Sequence, residues 1–125
     1  MAPLTHRVLL VDDEPALLSA LRRVVERARP DAMVVYASDP ASAIRQLETK
    51  SIRLVITDMC MDGDSEAGWR VVNAAQLAGV PVAVVSGATS SKDLTKLVES
   101  AVPLMEKKWM SNERLTELLE RAFAA

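Results

Sequence analysis

LVITDMCMDGDSEAGW, residues 54–69, runs from an apolar, β-branched stretch straight into acid. Leu54, Val55 and Ile56 lead to Asp58, and Asp62, Asp64 and Glu66 follow. An apolar strand that ends on a carboxylate usually delivers it to something. The plainer reading is that Asp58 caps the next helix and that the acids after it form a solvated loop. The surrounding pattern decides between the two.

Four more short apolar runs share that character. They are Arg7–Val11 (RVLLV), Met33–Ala37 (MVVYA), Pro81–Val85 (PVAVV) and Val102–Met105 (VPLM), with Arg53–Thr57 (RLVIT) third in the series. The first four in chain order are rich in β-branched residues and alternate little with polar ones, as in strands buried on both faces. The fifth rests mainly on its place in the series. Helical patterns lie between the runs. Leu17, Leu18, Leu21, Val24, Val25 and Ala28 recur at helix spacing, with Pro15 suited to a first turn and Pro30 closing the segment. Asp39-Pro40 gives a second start signal before Ile44 and Leu47. Trp69, Val72 and Leu77 mark a third helix that stops at Gly79. Leu94, Leu97 and Val98 mark a fourth, and Leu115, Leu118, Leu119 and Ala122 a fifth.

Five βα units read as an open parallel sheet covered by helices on both faces. Right-handed crossovers leave few topologies, and the expectation is a flavodoxin-like α/β fold with strand order 2-1-3-4-5. Residues 1–125 are expected to form one domain, large enough to bury a real core. With half the residues hydrophobic and only 3% aromatic, Val, Leu, Ala, Ile and Met must build that core. Fifteen basic against seventeen acidic residues give a formal net charge of -2, with no basic stripe that would suit nucleic acid. A single cysteine, Cys60, excludes an internal disulfide and fits a reducing compartment. No apolar run approaches the length of a membrane span, and MAPLTHRVLL lacks a signal peptide's apolar segment. A cytoplasmic location without membrane insertion is expected.

In a 2-1-3-4-5 sheet the ligand crevice lies at the carboxyl ends of strands one and three. Strand one ends in Asp12-Asp13 and strand three in Asp58. Carboxylates so close repel one another and raise one another's pKa. A divalent cation relieves this, and Mg²⁺, with hard oxygen ligands and waters often completed by a phosphate oxygen, suits the crevice. DDEP on its own reads equally well as an acidic helix start.

VLLVDDEP, LVITDMCM, VAVVSGA and MEKKW together resemble the four signatures of the response-regulator receiver domain of two-component signalling, in the right order and over almost the whole chain. The resemblance implies that Asp58 accepts a phosphoryl group from a sensor histidine kinase or a histidine phosphotransfer protein. It implies that Asp13 ligates Mg²⁺ directly, Asp12 acts through bound water, and Cys60 gives its backbone carbonyl. Ser86 matches the switch residue and Lys107 the lysine that pairs with the phosphoryl group. Such a domain catalyses its own phosphorylation and dephosphorylation, then signals to a downstream effector. The family's usual output face is the fourth helix, fifth strand and fifth helix, and the resemblance allows a homodimer through it. Taken singly, Ser86 is a turn residue before Gly87, Lys107 and Lys108 are solvated charges, and Cys60 is a small hydrophobe. Met59 and Met61 read as packing, and His6 has no role in the crevice. Only the joint occurrence favours function.

Three positions depart from the family pattern. The loop after the acceptor carries Asp62 where proline is usual and is about two residues longer, so it is expected to be solvated and mobile. Lys108 follows Lys107 where a cis proline is usual, and a non-proline cis bond costs about 3 kcal/mol. Leu104 takes the place of the switch aromatic. These departures keep open a receiver-like interaction module that is never phosphorylated. A flavin-binding domain would need a phosphate-cradling loop in place of DDEPA. A phosphatase with an aspartate nucleophile would carry a second aspartate where Cys60 stands.

Overall fold

The computed structural model describes residues 6–49, 51–87, 91–106 and 112–123. Five strands alternate with five helices along the chain. They are β1 (His6–Val11), α1 (Pro15–Ala28), β2 (Ala32–Ala37), α2 (Pro40–Thr49), β3 (Ile52–Thr57), α3 (Ala67–Leu77), β4 (Val82–Ser86), α4 (Ser91–Glu99), β5 (Leu104–Glu106) and α5 (Asn112–Phe123). The strands form one parallel sheet in the order β2-β1-β3-β4-β5, as the sequence pattern predicts. None of the described helices is long and apolar enough to cross a membrane.

Strand periodicity divides the core in two. Leu9, Val11 and Val55 face one side of the sheet with Ala43 of α2, Val71 and Val72 of α3 and Leu97 of α4. Val8, Leu10, Leu54 and Ile56 face the other, against Leu21 and Val25 of α1 and Leu115 and Leu119 of α5. Full burial of each such side chain is worth about 1.5–3 kcal/mol against leaving it exposed. β1 and β3 are therefore covered on both faces. Their carboxyl ends carry Asp12, Asp13 and Asp58. At the opposite end of the sheet, Arg29 lies 4.5 Å from the centroid of the Phe123 ring, and Arg53 Nη2 donates to the Phe123 carbonyl at 3.3 Å. His6 packs on that ring at 5.1 Å, away from the acids, as expected.

Two expectations need correction. The fourth and fifth strands begin later than their apolar runs, at Val82 and Leu104 rather than Pro81 and Val102. Proline has no N–H to give a ladder, but both prolines supply carbonyls. Pro81 O accepts from Val55 N–H and Pro103 O from Val84 N–H, each at 2.9 Å. The helical pattern of the fourth helix also overstates its packing. Leu97 is buried, whereas Leu94 and Val98 are exposed, Val98 by 71%.

The start of α3 is pressed against the end of β3. A Cβ on Gly68 would lie 2.5 Å from both the Asp58 carbonyl oxygen and Met59 Cα, closer than real Cβ atoms come. The obstacles are backbone and have no rotamer to escape into. Gly68→Ala should therefore lower stability by about 1–3 kcal/mol through overpacking, measured by chemical denaturation. Unchanged stability would show that the contact is looser than described.

Candidate functional site

Each acid is positioned by backbone that the sheet has already fixed. Asp12 N–H donates to Ala37 O of β2 at 3.1 Å, and Asp58 N–H donates to Val11 O of β1 at 2.9 Å. The side chains then find local donors. Asp12 Oδ1 accepts from Glu14 N–H at 2.9 Å and Asp58 Oδ1 from Met59 N–H at 2.7 Å. The helix-cap reading of Asp58 fails, whereas DDEP does stand at the start of a helix, as its acidic pattern allows. The residue capping α1 is Glu14 and that capping α3 is Glu66.

Asp12, Asp13 and Asp58 each offer a carboxylate oxygen within 4.8 Å of the others. Asp12 and Asp58 are only 2% and 7% exposed, and Asp13 is open to solvent. Two unit charges 4 Å apart repel by roughly 4 kcal/mol at an effective dielectric of about 20. Three such groups with one open side could hold a cation, and their hard oxygens are the donor set that Mg²⁺ takes. The triad predicted from sequence is thus assembled. Ser86 is buried at the carboxyl end of β4, two positions beyond Val84, which pairs with Thr57. Leu104 pairs with Val84 across β4 and β5 and packs on the first core cluster. Met59 and Met61 are buried and pack, as expected, while Cys60 is exposed. Lys107 and Lys108 lie outside the described residues.

The acidic loop is largely exposed to solvent, as expected, and its backbone forms a defined turn. Met61 and Asp64 form an antiparallel bridge, with Asp64 N–H donating to Met61 O at 3.0 Å. Between them Asp62 and Gly63 both have positive φ, 52° and 74°. That is the backbone of a two-residue type I′ hairpin, for which Asp-Gly is a favoured sequence. Asp62 N–H, a donor that proline would lack, reaches across to Asp13 Oδ2 at 2.9 Å. Sequence reasoning missed this contact, although Asp-Gly was the available signal for the turn.

A profile of the response regulator receiver domain matches residues 8–120, and the chain belongs to that family. Solved structures agree on the fold. A response regulator receiver protein from Pseudomonas putida is 23% identical over 96% of this chain and 99% of its own, with a TM-score of 0.80. A CheY-like receiver domain protein from Methanospirillum hungatei is 19% identical over 94% and 92%, with a TM-score of 0.79. The isolated REC domain of RcsB from Salmonella enterica serovar Typhimurium, solved in the presence of the phosphomimetic BeF3-, is 20% identical over 92% and 86%, with a TM-score of 0.76. No curated protein matches by sequence.

Arg70 anchors the hairpin from α3, with Nη1 2.6 Å from Asp64 Oδ2, while Glu66 N–H donates to Asp64 Oδ1 at 2.9 Å. The Arg70 guanidinium, and then the Glu66 amide, hold the Asp64 carboxyl below its ordinary range. The sign follows from a depressed folded value. This tether is fully present above the ordinary carboxylate range and is lost as pH falls through the lowered value. In Arg70→Gln, carboxyl NMR titration should show Asp64 moving up toward ordinary carboxylates. No movement would mean that Arg70 does not hold the loop.

Proposed function

We propose that this receiver domain takes a phosphoryl group on Asp58 from a phosphohistidine of a sensor kinase or phosphotransfer protein, in a reaction that needs Mg²⁺. The observation that carries the reading is the approach of the Asp12, Asp13 and Asp58 carboxylates within 4.8 Å at the carboxyl edge of the sheet. Asp13, Asp58 and the Cys60 carbonyl would hold the ion, with Asp12 acting through water. When bound, Mg²⁺ offsets the charge on the transferring oxygens and removes the repulsion within the triad.

The chain's own contribution is mostly positioning. A carboxylate oxygen of Asp58 attacks phosphorus, the P–N bond breaks, and the imidazole leaves with the electron pair. The Met59 amide and the backbone bond to Val11 fix the attacking group before the donor arrives. The Asp62 amide does the same for Asp13. Ser86 is the hydroxyl that reaches the new phosphoryl oxygens, and Lys107 is the cation that pairs with them. Leu104 fills the place of the family's switch aromatic but has no hydroxyl to expose. The stabilisation that Ser86 movement gives the active state should therefore be small, since a ligand shifts an equilibrium only by its differential interactions. A downstream effector reads the altered surface.

Incubation with acetyl phosphate and Mg²⁺, followed by intact mass measurement, tests the reading. Wild type should gain one phosphoryl mass that decays, returns with fresh donor and disappears when Mg²⁺ is chelated. Asp58→Asn should gain none, while Asp62→Asn and Asp64→Asn should label normally. Absence of labelling in wild type would favour an interaction module that is never phosphorylated. Labelling at Asp62 or Asp64 would overturn the acceptor assignment.

A further inference from the structure

Trp69 joins two parts of the molecule that sequence keeps far apart. It follows Gly68, whose Cα sits against the Asp58–Met59 peptide, and Gly68 N–H donates to Met59 O at 2.8 Å. The Asp58 carbonyl is further fixed by the Thr57 hydroxyl at 2.9 Å. On its other side, Trp69 Nε1–H donates to Asp93 Oδ1 at 3.0 Å, and Lys96 Nζ stands 4.3 Å from the ring centroid. Asp93 and Lys96 both belong to α4. The indole is 5% exposed, so it has little room to turn without moving its neighbours.

We propose that Trp69 couples the phosphoacceptor to α4, holding the helix in place while Asp58 is a free carboxylate and loosening it once Asp58 is phosphorylated. The proposal rests on the phosphoacceptor reading and adds an output route to it. Met59 N–H makes a charge-assisted bond to the Asp58 carboxylate, of the stronger kind. Conversion of that carboxylate to an acyl phosphate removes its charge and weakens the acceptor. The Asp58–Met59 peptide then relaxes, and Gly68 leaves no gap to absorb the movement. The first turn of α3 shifts with it, carrying the indole.

The receiving end is suited to respond. A hydrogen bond weakens steeply once its angle is lost, and α4 leaves part of its apolar pattern uncovered. Leu97 is buried while Leu94 and Val98 are exposed, and the neighbouring Gln76 Nε2 to Ser100 O contact is long at 3.4 Å. Segments with few buried apolar contacts open most readily. The route also needs no aromatic at position 104, where this chain has Leu104.

The test uses Trp109→Phe protein, in which Trp69 is the sole tryptophan, with Mg²⁺ and with or without beryllofluoride as the phosphoryl mimic. Amide exchange of residues 91–99 and Trp69 fluorescence are the readouts, and acetyl phosphate labelling is followed in parallel by mass. Loading should speed exchange in α4 and change the emission of Trp69. Trp69→Phe keeps an aromatic ring but loses the donor. It should label normally and exchange about fivefold faster in α4 before loading, the equivalent of one ordinary hydrogen bond, with no further change on loading. Asp93→Ala should also lose the response to loading, and the double variant should be no faster than Asp93→Ala alone. A wild-type-sized α4 response in Trp69→Phe would overturn the proposal, as would wild type that labels without any change in α4. Loss of labelling in Trp69→Phe would overturn it too, placing Trp69 in support of the acceptor. If the parent protein gains no mass, the phosphoacceptor reading itself fails, and the mass record shows that this step failed.

Discussion

Repulsion among three carboxylates is the constraint around which this molecule is organised. Asp12 and Asp58 are buried at the ends of two strands covered on both faces, and Asp13 stands beside them in solvent. Burial disfavours the charged form of a carboxylate, and a like charge nearby disfavours it again. A fold that needed only stability would place apolar side chains there. The apolar burial of β1 and β3 on both faces supplies the stability that lets the crevice remain charged. The sheet thus brings the three carboxylates together in a cluster that could hold a divalent cation.

The backbone around the triad is committed in the same way. Amides of Glu14, Met59 and Asp62 each point at one of the three carboxylates. The Asp62 amide is available because the hairpin after Met61 takes positive φ at two successive residues. A proline there would give up that donor and could not adopt the backbone angle. The departure from the family pattern at Asp62 is therefore compensated locally. Gly68 closes the hairpin's return onto β3 with almost no clearance, so the loop and the start of α3 act as one piece.

Much of the fold was legible because strand composition and helix spacing report burial directly. Leu9 and Val11 facing one side with Val8 and Leu10 facing the other explains why RVLLV shows no polar alternation. The alternation of elements with right-handed crossovers left few sheet orders, and the expected one placed Asp12, Asp13 and Asp58 together. The limits of the last two strands were less legible, since Pro81 and Pro103 continue the apolar runs and give carbonyls without entering the strands. The packing of α4 was overstated because spacing shows that a face is apolar, not that anything covers it. The pairings of Trp69 with Asp93 and of Asp62 with Asp13 span 24 and 49 residues, and no local pattern encodes them. The close approach at Gly68 is likewise a tertiary fact.

The most direct measurement of the central claim is equilibrium unfolding of wild type and Asp13→Asn, each in chelator and in saturating Mg²⁺. If the charged triad is strained until a cation binds, Asp13→Asn should be more stable than wild type in chelator. Asparagine keeps an oxygen for the Asp62 amide while removing one negative charge. Mg²⁺ should stabilise wild type by mass action, by about 2.7 kcal/mol at a concentration one hundredfold above its dissociation constant. It should do little for Asp13→Asn. A wild type indifferent to Mg²⁺, together with an Asp13→Asn variant no more stable in chelator, would contradict the account.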